Sequence, residues 1–359
     1  MAATIGTNLK ITIFGESHGE YIGATLDGLT PGIKVDYEYI NKALLKRRPL
    51  AKIETARVEK DEYEIISGVF NGYTTGAPIT VIIPNTNVKS SDYDAHIARP
   101  SHADYVAHEK YFGFNDYRGG GHFSGRLTAP IVVLGALVNS ALEKKGIYIG
   151  THIKKIGNVE DNNFSSSKEE ILDLKNKVFP TISNVEKEMK EEIIKAANSF
   201  DSIGGILQTC INGLPVGIGE PYFDSLESCL SHAMFSIGGV KGIEFGLGFN
   251  FASKYGSEVN DEFYYDGKVI KTKTNNNGGI NGGISNGQDI IFNLAIKPTP
   301  SIAKVQNSID FINKENVSME IKGRHDPAFI RRLAVVVESL SAIVVSDLLL
   351  RRYGIEFFR

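Results

Sequence analysis

Three histidines, His18, His102 and His122, lie in short polar, glycine-containing stretches that interrupt the apolar segments of the chain. An imidazole changes its charge near neutral pH, so histidines on ligand-facing loops are candidates for general acid–base catalysis. Ser17 precedes His18, and Ser124 follows His122 by two positions, which adds hydroxyl groups to the same stretches. Each stretch alone also fits a polar surface turn, so the chemistry is indicated by the recurrence of the pattern.

The most informative stretch is 118–130, Arg-Gly-Gly-Gly-His-Phe-Ser-Gly-Arg-Leu-Thr-Ala-Pro. Its glycines allow positive φ and a close approach of backbone to a ligand. The apolar run 131–142 predicts a buried helix with Pro130 in its first turn, and a helix N-terminus favours an anion. Arg118 and Arg126 flank the loop and can grip a phosphate with paired hydrogen bonds. A glycine-rich turn that only caps the helix is the alternative.

The composition fits a soluble globular protein. The chain has 359 residues with a formal net charge of −3, so general attraction to nucleic acid or anionic lipid is not expected. Cys210 and Cys229 lie in apolar stretches, so we expect both to be free thiols. The sequence shows no spacing of residues that is typical of metal ligands. Neither a secretory signal nor an uninterrupted membrane-spanning apolar run is visible, so we expect a cytoplasmic protein.

Apolar periodicity predicts the elements that position these loops. Leu9–Phe14 and Gly23–Leu29 fit paired strands on either side of the His18 stretch. Asp36 is placed to cap a helix through about Lys46. A polar stretch at about 164–200 fits two amphipathic surface helices broken near Pro180, an insertion in which we expect no chemistry.

Two further helix starts coincide with candidate site residues. Ser101 is placed to cap a helix towards Phe112, which puts His102 in its first turn between Arg99 and Asp104. Asp326 is placed to cap the last helix, Ala328 to about Tyr353, with Pro327 in its first turn. We expect incomplete burial of the histidines at such loop and helix-start positions.

Seven motifs in order along the chain resemble the chorismate synthase family from about Leu9 to Leu350. They are Gly15–Gly19, Arg99–Tyr105, Arg118–Pro130, Val240–Gly246, Asn275–Gly287, Lys297–Ser301 and Gly323–Pro327. The resemblance implies an α+β fold, a βαβ sandwich with two antiparallel sheets held between helices. It implies one such domain over residues 1–359.

The resemblance also implies an activity. This is the anti 1,4-elimination of phosphate and a ring hydrogen from 5-enolpyruvylshikimate 3-phosphate, giving chorismate for aromatic amino acid biosynthesis. Reduced FMN is required although the reaction has no net redox change. The family further implies a homotetramer. No reductase domain is visible in the sequence, so we expect an external flavin reductant, with NADPH as the candidate electron source.

Roles follow from the resemblance residue by residue. His18 would protonate the departing phosphate, His102 would protonate the reduced flavin near its N1–C2 carbonyl edge, and Asp326 would act near N5 as a base or relay. Ser17 and Ser124 would support them. The flavin would be held by His122, Phe123, Ser124, Gly238, Gly239, Gly282, Lys297, Pro298, Thr299, Pro300, Ser301 and Arg324. Candidates for the anionic groups of the substrate or of NADPH are Arg47, Arg48, Arg99 and Arg126.

Two other functions are compatible with the residues. One is another FMN-dependent enzyme acting on a phosphorylated carboxylate. The other is a non-catalytic protein that binds a phosphorylated metabolite, which three histidines and an aspartate on loops disfavour.

Overall fold

A computed structural model describes residues 3–50, 53–54, 60–86, 95–165, 167–321 and 326–359. Within these ranges the strands are β1 (Thr4–Ile5), β2 (Lys10–Gly15), β3 (Tyr21–Asp27), β4 (Glu64–Ser67), β5 (Val69–Phe70), β6 (Tyr73–Thr74), β7 (Ile79–Pro84), β8 (Tyr148–Ile156), β9 (Val159–Glu160), β10 (Gly205–Asn212), β11 (Val240–Phe245), β12 (Phe263–Tyr265), β13 (Ile270–Thr272), β14 (Ile280–Asn281), β15 (Ile284–Ser285), β16 (Ile290–Ile296), β17 (Gln306–Asp310) and β18 (Glu315–Met319).

The α-helices within the same ranges are α1 (Tyr37–Arg47), α2 (Asp104–Lys110), α3 (Thr128–Lys144), α4 (Ser167–Leu174), α5 (Glu186–Asn198), α6 (Leu226–Phe235), α7 (Gly256–Val259) and α8 (Ile330–Tyr353). Short 3₁₀ turns occupy Arg118–Phe123, Gly125–Leu127, Tyr222–Asp224, Gly248–Ser253 and Ile355–Phe358.

The first sheet has five antiparallel strands in the order β1-β2-β3-β7-β4. In β7, Ile79, Val81 and Ile83 are buried while the residues between them are partly exposed, so one face of this strand lines the core. The strands expected at Leu9–Phe14 and Gly23–Leu29 are confirmed as β2 and β3. Their pairing places the His18 turn at one end of this sheet.

The second sheet is also antiparallel and has five strands, in the order β11-β16-β10-β8-β9. β8 is buried along nearly its whole length, which requires cover on both of its faces. Both α8 and α4 pack against β8 and β10 and supply cover. Gly150 in β8 faces Ile171 of α4 so closely that a Cβ at this position would contact that side chain.

Two apolar helices join the sheets into a sandwich. α3 packs against β3 and β7 of the first sheet, α8 packs against β8 and β10 of the second, and α3 and α8 pack against each other. At their contact, Gly135 of α3 meets Ser339 of α8 with no room for a Cβ. The α+β sandwich with two antiparallel sheets is therefore confirmed.

The segment Gly125–Lys144, which contains α3, and the helix α8 are long and apolar enough by length and composition to cross a membrane. Their most apolar windows are 89% and 94% buried inside the protein. Burial of that extent is typical of core helices.

The polar region around 164–200 forms α4 and α5, as predicted, with Pro180 between them. The connection between α4 and α5 is held by Asp161, which accepts hydrogen bonds from the backbone of Ile182 and Ser183. The same carboxylate lies 3.2 Å from Nδ1 of His152, which is fully buried in β8. This buried pair ties the connection between α4 and α5 to the second sheet and was not expected from the sequence.

Two predicted helix starts are wrong. α8 begins at Ile330 rather than Ala328, and its N-cap residue Phe329 makes no side-chain cap. Asp326 therefore does not cap the last helix. α2 begins at Asp104 after Ala103, so Ser101 is not its cap and His102 precedes the helix. The cap expected at Asp36 is confirmed, since its carboxylate accepts a hydrogen bond from the backbone N–H of Tyr39 at 2.9 Å.

Candidate functional site

The loop Arg118–Phe123 brings two of the predicted histidines together. Three consecutive glycines have positive φ, at 60°, 84° and 51° for Gly119, Gly120 and Gly121. A Cβ on Gly119 would overlap the ring of His18, and a Cβ on Gly120 would lie 3.3 Å from Cε1 of His102. The glycines are therefore needed both for the backbone conformation and for the space that the two imidazoles occupy.

Ser17 orients the His18 ring. Both residues are buried, with 0% and 7% of their surfaces exposed, so the expected incomplete burial is wrong for His18. Ser17 Oγ donates towards the carbonyls of Arg118 and Gly119 and lies 3.2 Å from His18 Nδ1. With the hydroxyl proton on either carbonyl, Oγ can accept a hydrogen bond from Nδ1–H. In the imidazolium the second proton is then on Nε2.

His102 belongs to a three-residue polar cluster with Arg99 and Asp104. Nδ1 of His102 lies 2.8 Å from Asp104 Oδ1, and Arg99 makes a two-point contact with the same carboxylate at 2.8 and 2.7 Å. Burial alone would raise the pKa of Asp104, but hydrogen bonds from Arg99 and His102 outweigh it and hold that pKa well below its usual range. Asp104 therefore stays ionised and fixes the His102 ring.

The three residues that follow the glycines, His122, Phe123 and Ser124, each make a different contact. His122 Nδ1 lies 2.9 Å from the carbonyl oxygen of Gly15, which anchors the loop to the end of β2. Phe123 is 45% exposed, and its ring lies edge-on to Tyr111. Ser124 accepts a hydrogen bond from the backbone of Arg126 at 3.3 Å and caps the short turn before α3.

Two of the predicted arginines meet at a carboxylate that the sequence reasoning missed. Arg47 Nη1 lies 3.0 Å from Asp61 Oδ2, and Arg126 Nη1 pairs with Asp61 Oδ1. Asp61 and Arg126 are buried, and the Arg47 side chain is 10% exposed. Burial, partly offset by Asp61, lowers the pKa of Arg47 to about 10, so the guanidinium remains charged at neutral pH.

Asp326 has a different partner from the one expected. One of its carboxylate oxygens pairs with Nη2 of Arg332, in the first turn of α8. The other oxygen, Oδ1, is buried and has no hydrogen-bond partner among the described residues. Repulsion between Arg332 and Arg47 contributes to the lowered pKa of Arg47, which places this pair beside the Arg47–Asp61–Arg126 cluster.

The segment that contains Lys297 and Thr299 lies near His102 at one point and near Asp326 at another. Lys297 Nζ donates to the carbonyl of Ser101 at 2.8 Å, next to His102. Its backbone N–H donates to the carbonyl of Gly239 at 2.9 Å, and a Cβ on Gly239 would meet the ring of Phe329. Burial and then repulsion by Lys241 lower the pKa of Lys297.

Thr299 lies beside the segment that carries Asp326. Its carbonyl accepts a hydrogen bond from Ser202 at 2.7 Å, and the neighbouring Ile203 donates to the carbonyl of Pro327 at 2.9 Å. The hydroxyl of Thr299 is buried without a partner among the described residues.

The structure gives fewer contacts for the other predicted site residues. Arg48 is exposed and donates to the carbonyl of Lys60 at 2.9 Å. Gly282 lies in the turn between β14 and β15, with open space where a Cβ would be. Gly238 likewise faces open space. Pro298 packs on Gly204, while Pro300 and Ser301 are partly exposed. Arg324, with Gly323 and His325, lies outside the described residues.

The residues that sequence reasoning missed are Asp61 and Arg332. Asp61 contacts Arg126 across 65 positions of sequence, and no periodicity or motif signals such a pairing. Arg332 lies in the predicted last helix, where the sequence gives no signal for its pairing with Asp326. Side chains that contact each other within one helix are three or four residues apart, whereas Asp326 and Arg332 are six apart. Asp326 lies before α8, so helical spacing could not predict their contact.

The chain is similar to known proteins of one family. A family model described as chorismate synthase matches residues 9–350. The chain is 48% identical over 350 residues to a chorismate synthase of Pyrococcus abyssi, covering 97% of each chain. It is 45% identical over 353 residues to one of Lachnoclostridium phytofermentans, covering 97% of this chain and 95% of that one.

A solved structure described as a crystal structure of chorismate synthase has the same fold. Its TM-score is 0.77 at 29% sequence identity, and the match covers 98% of this chain and 94% of that one. The family model and the relatives both span almost the whole sequence. The chain belongs to the chorismate synthase family.

Proposed function

We propose that this protein converts 5-enolpyruvylshikimate 3-phosphate to chorismate by anti 1,4-elimination of phosphate and a ring hydrogen. The C–O bond to phosphate breaks and a C–H bond is lost, so the substrate gains a double bond with no net redox change. The family and its named relatives support this reaction, which belongs to the shikimate pathway of aromatic amino acid biosynthesis.

The observation that carries the proposal is the glycine loop between His18 and His102, close to the Arg47–Asp61–Arg126 cluster. The loop runs from Gly119 into Arg126 within one short segment. It therefore joins two candidate proton-transfer groups to a buried concentration of positive charge. A phosphorylated dicarboxylate needs both kinds of group.

His18 is the proposed acid for the leaving phosphate. Ser17 holds Nδ1, so the imidazolium presents its second proton from Nε2. Burial of His18 excludes bulk water from this ring, which strengthens its interaction with an anion. Arg47 and Arg126 would neutralise the charge that develops on the phosphate as it leaves.

The residues present fit a flavin. Thr299 Oγ1 and Asp326 Oδ1 are buried polar atoms without partners among the described residues, and Gly238 faces open space. Lys297 and Lys241 repel each other, and an anionic ligand would relieve that repulsion. When bound, reduced FMN would supply an electron to the reaction transiently.

Several of these residues would hold the flavin and manage its protons. Gly238, Gly239, Lys297 and Thr299 form the described part of the proposed binding surface, to which His122, Phe123, Ser124, Gly282, Pro298, Pro300, Ser301 and Arg324 are candidate additions. His102, fixed by Asp104, would hold a proton facing the cofactor. Asp326 would accept a proton at Oδ1, which has no partner among the described residues, with Arg332 holding the other oxygen.

We also propose the form of the flavin, its electron source, and the assembly and location of the protein. The family implies a need for reduced flavin in general terms, and its specific form here is proposed as FMN. We propose an external reductant rather than reduction of flavin by the chain itself, with NADPH as the candidate electron source. A homotetramer in the cytoplasm is the proposed assembly and location.

An anaerobic steady-state assay tests the function. The protein, 5-enolpyruvylshikimate 3-phosphate and a catalytic amount of chemically reduced FMN should yield many chorismate molecules per flavin. FAD and oxidised FMN serve as controls, and NADPH with oxidised FMN tests self-reduction. If the protein binds reduced FMN tightly but forms no chorismate, another FMN-dependent activity replaces this one.

A further inference from the structure

Two neighbouring arginines in the first turn of α8 hold two different segments of the chain. Arg332 pairs with Asp326. Arg331, at the preceding position, forms a two-point ion pair with Glu54, from Nε to Oε1 at 2.7 Å and from Nη2 to Oε2 at 2.5 Å. Both side chains of this second ion pair are only 1% exposed, so it is shielded from water.

Arg331 also binds the end of α1. Its Nη2 donates to the carbonyl of Arg48 at 2.5 Å, and its Nη1 donates to the carbonyls of Lys46 at 2.8 Å and Val178 at 3.3 Å. The last carbonyls of a helix have no partner within it, and a cation beside them is favourable. Together with the two bonds to Glu54, these contacts use all five N–H groups of the guanidinium, so none remains to bind a ligand.

Glu54 holds the chain that follows α1. Its Oε2 also accepts a hydrogen bond from the backbone N–H of Leu50 at 2.6 Å. Contacts of the ion pair thus reach residues 46 and 48, which are the neighbours of Arg47 on both sides, and residue 50 beyond them. The backbone before and after Arg47 is therefore fixed to the start of α8.

The side chain of Arg47 extends from this fixed backbone to the loop before α3. Its Nε donates to Thr128 Oγ1 at 3.1 Å, and its Nη2 donates to the carbonyl of Gly125 at 2.9 Å. Its Nη1 lies 3.0 Å from Asp61 Oδ2. Because hydrogen bonds weaken steeply when their geometry is lost, a shift of the end of α1 would move this guanidinium away from its partners.

We infer that Arg331 and Glu54 are positioning residues that hold Arg47 in place for the phosphate group of the substrate. The inference rests on the proposed function, in which Arg47 stabilises the departing phosphate. The competing explanation is that the buried ion pair only stabilises the fold, in which case substrate binding by the folded protein does not depend on it.

Arg331→Lys distinguishes the two explanations. Lysine keeps the positive charge beside Glu54 but lacks the planar guanidinium, so it cannot hold the carboxylate and the carbonyls of α1 together. Positioning predicts that the folded variant binds 5-enolpyruvylshikimate 3-phosphate about 10- to 100-fold more weakly, since a small misplacement of a binding group can be this costly. If the ion pair only stabilises the fold, the variant should unfold at a lower urea concentration but bind the substrate as wild type does.

The experiment measures this binding by titration calorimetry on the full-length protein loaded with oxidised FMN, with which the proposed reaction does not proceed. Glu54→Gln is the second variant, and Asp347→Asn is its matched control, because each change replaces a buried carboxylate by its amide. Asp347 also lies on α8, but it accepts hydrogen bonds from the backbone of residues 7, 8 and 9 before β2. The control should lose stability in urea and keep wild-type affinity for the substrate.

A double variant addresses the case in which the single variants do not fold. Arg331→Met with Glu54→Met removes both charges, and apolar side chains of similar volume often replace a buried ion pair without loss of stability. Positioning predicts weak substrate binding by this protein as well. Adding Arg47→Ala to it should cost little further affinity, because Arg47 is already misplaced.

Wild-type substrate affinity in folded Arg331→Lys or in the folded double variant overturns the inference, and so does a failure of the wild-type protein to bind the substrate. Binding to the protein with oxidised FMN requires no turnover. Failure of the proposed function is therefore detected separately, as the absence of chorismate in the anaerobic assay.

Discussion

His18 and His102 face two consecutive glycines, Gly119 and Gly120, of one loop. The histidines are far apart in sequence, and a three-residue segment of positive-φ backbone determines their spacing. A change in this loop should therefore affect both proton-transfer groups, whereas a change in a positive-φ glycine elsewhere in the chain should affect neither.

Gly119→Ala tests this relationship. The added Cβ would overlap the His18 ring, so we expect a large loss of turnover with the protein still folded. Gly72→Ala controls for backbone strain, since Gly72 also has positive φ, 78°, but open space around its Cβ position. Backbone strain should destabilise the Gly72 variant by about 1–2 kcal/mol, and the Gly119 variant should lose more because the His18 ring must also move. Equal turnover in the two variants would show that Gly119 does not position His18.

Removal of either imidazole should be costly. We expect His18→Ala and His102→Ala each to lower kcat by roughly 10²–10⁴-fold with saturating reduced FMN, as is usual for loss of a general acid or base. His232→Ala is the control, because His232 is exposed on α6. Turnover near that of the control would remove the affected histidine from the mechanism.

Asp326→Asn distinguishes a proton-transfer role from capping. Since Asp326 does not cap α8, its replacement should act through the lost carboxylate, and we expect most of the turnover to disappear while flavin still binds. Asp36→Asn is the comparison, because Asp36 is a true cap and asparagine caps equally well. Full activity of Asp326→Asn would leave Asp326 without a catalytic role.

The Asp326–Arg332 pair predicts coupled stabilities. Because the side chains are in contact, Asp326→Asn and Arg332→Gln should show a coupling of about 0.5–3 kcal/mol in a double-mutant cycle measured by urea unfolding. Strict additivity would mean that the contact contributes nothing to folding.

The low pKa of Asp104 predicts a pH-dependent contribution to stability. A carboxylate whose pKa is lower in the folded than in the unfolded chain stabilises the fold above the unfolded pKa, about 4, and loses that contribution as the pH falls below it. Asp104→Asn should thus be less stable than wild type at pH about 7, with the difference shrinking towards pH about 3. Asp27→Asn, at an exposed position, is the control. A difference that does not vary with pH would contradict the assignment.

Local patterns predicted much of the fold. The helix capped by Asp36, the strands on either side of His18, and the helix break near Pro180 all follow from signals within a few residues. The sandwich itself came only from the resemblance, because sheet order depends on pairings between distant segments.

The two wrong helix starts have a common cause. Asp326 and Ser101 have side chains suited to capping, but tertiary contacts determine how those segments lie. Asp326 is paired with Arg332, and the carbonyl of Ser101 receives Lys297, 196 positions away. Asp61 was missed for the same reason, since its arginine partners are adjacent to it only in the folded chain.

The most direct test of the proposed function is a single-turnover experiment under anaerobic conditions. Protein loaded with reduced FMN is mixed with 5-enolpyruvylshikimate 3-phosphate, and phosphate, chorismate and the flavin spectrum are followed together. We expect equal amounts of phosphate and chorismate, with the FMN still reduced at the end. Phosphate release without chorismate, or oxidation of FMN in proportion to the substrate consumed, would contradict a redox-neutral elimination.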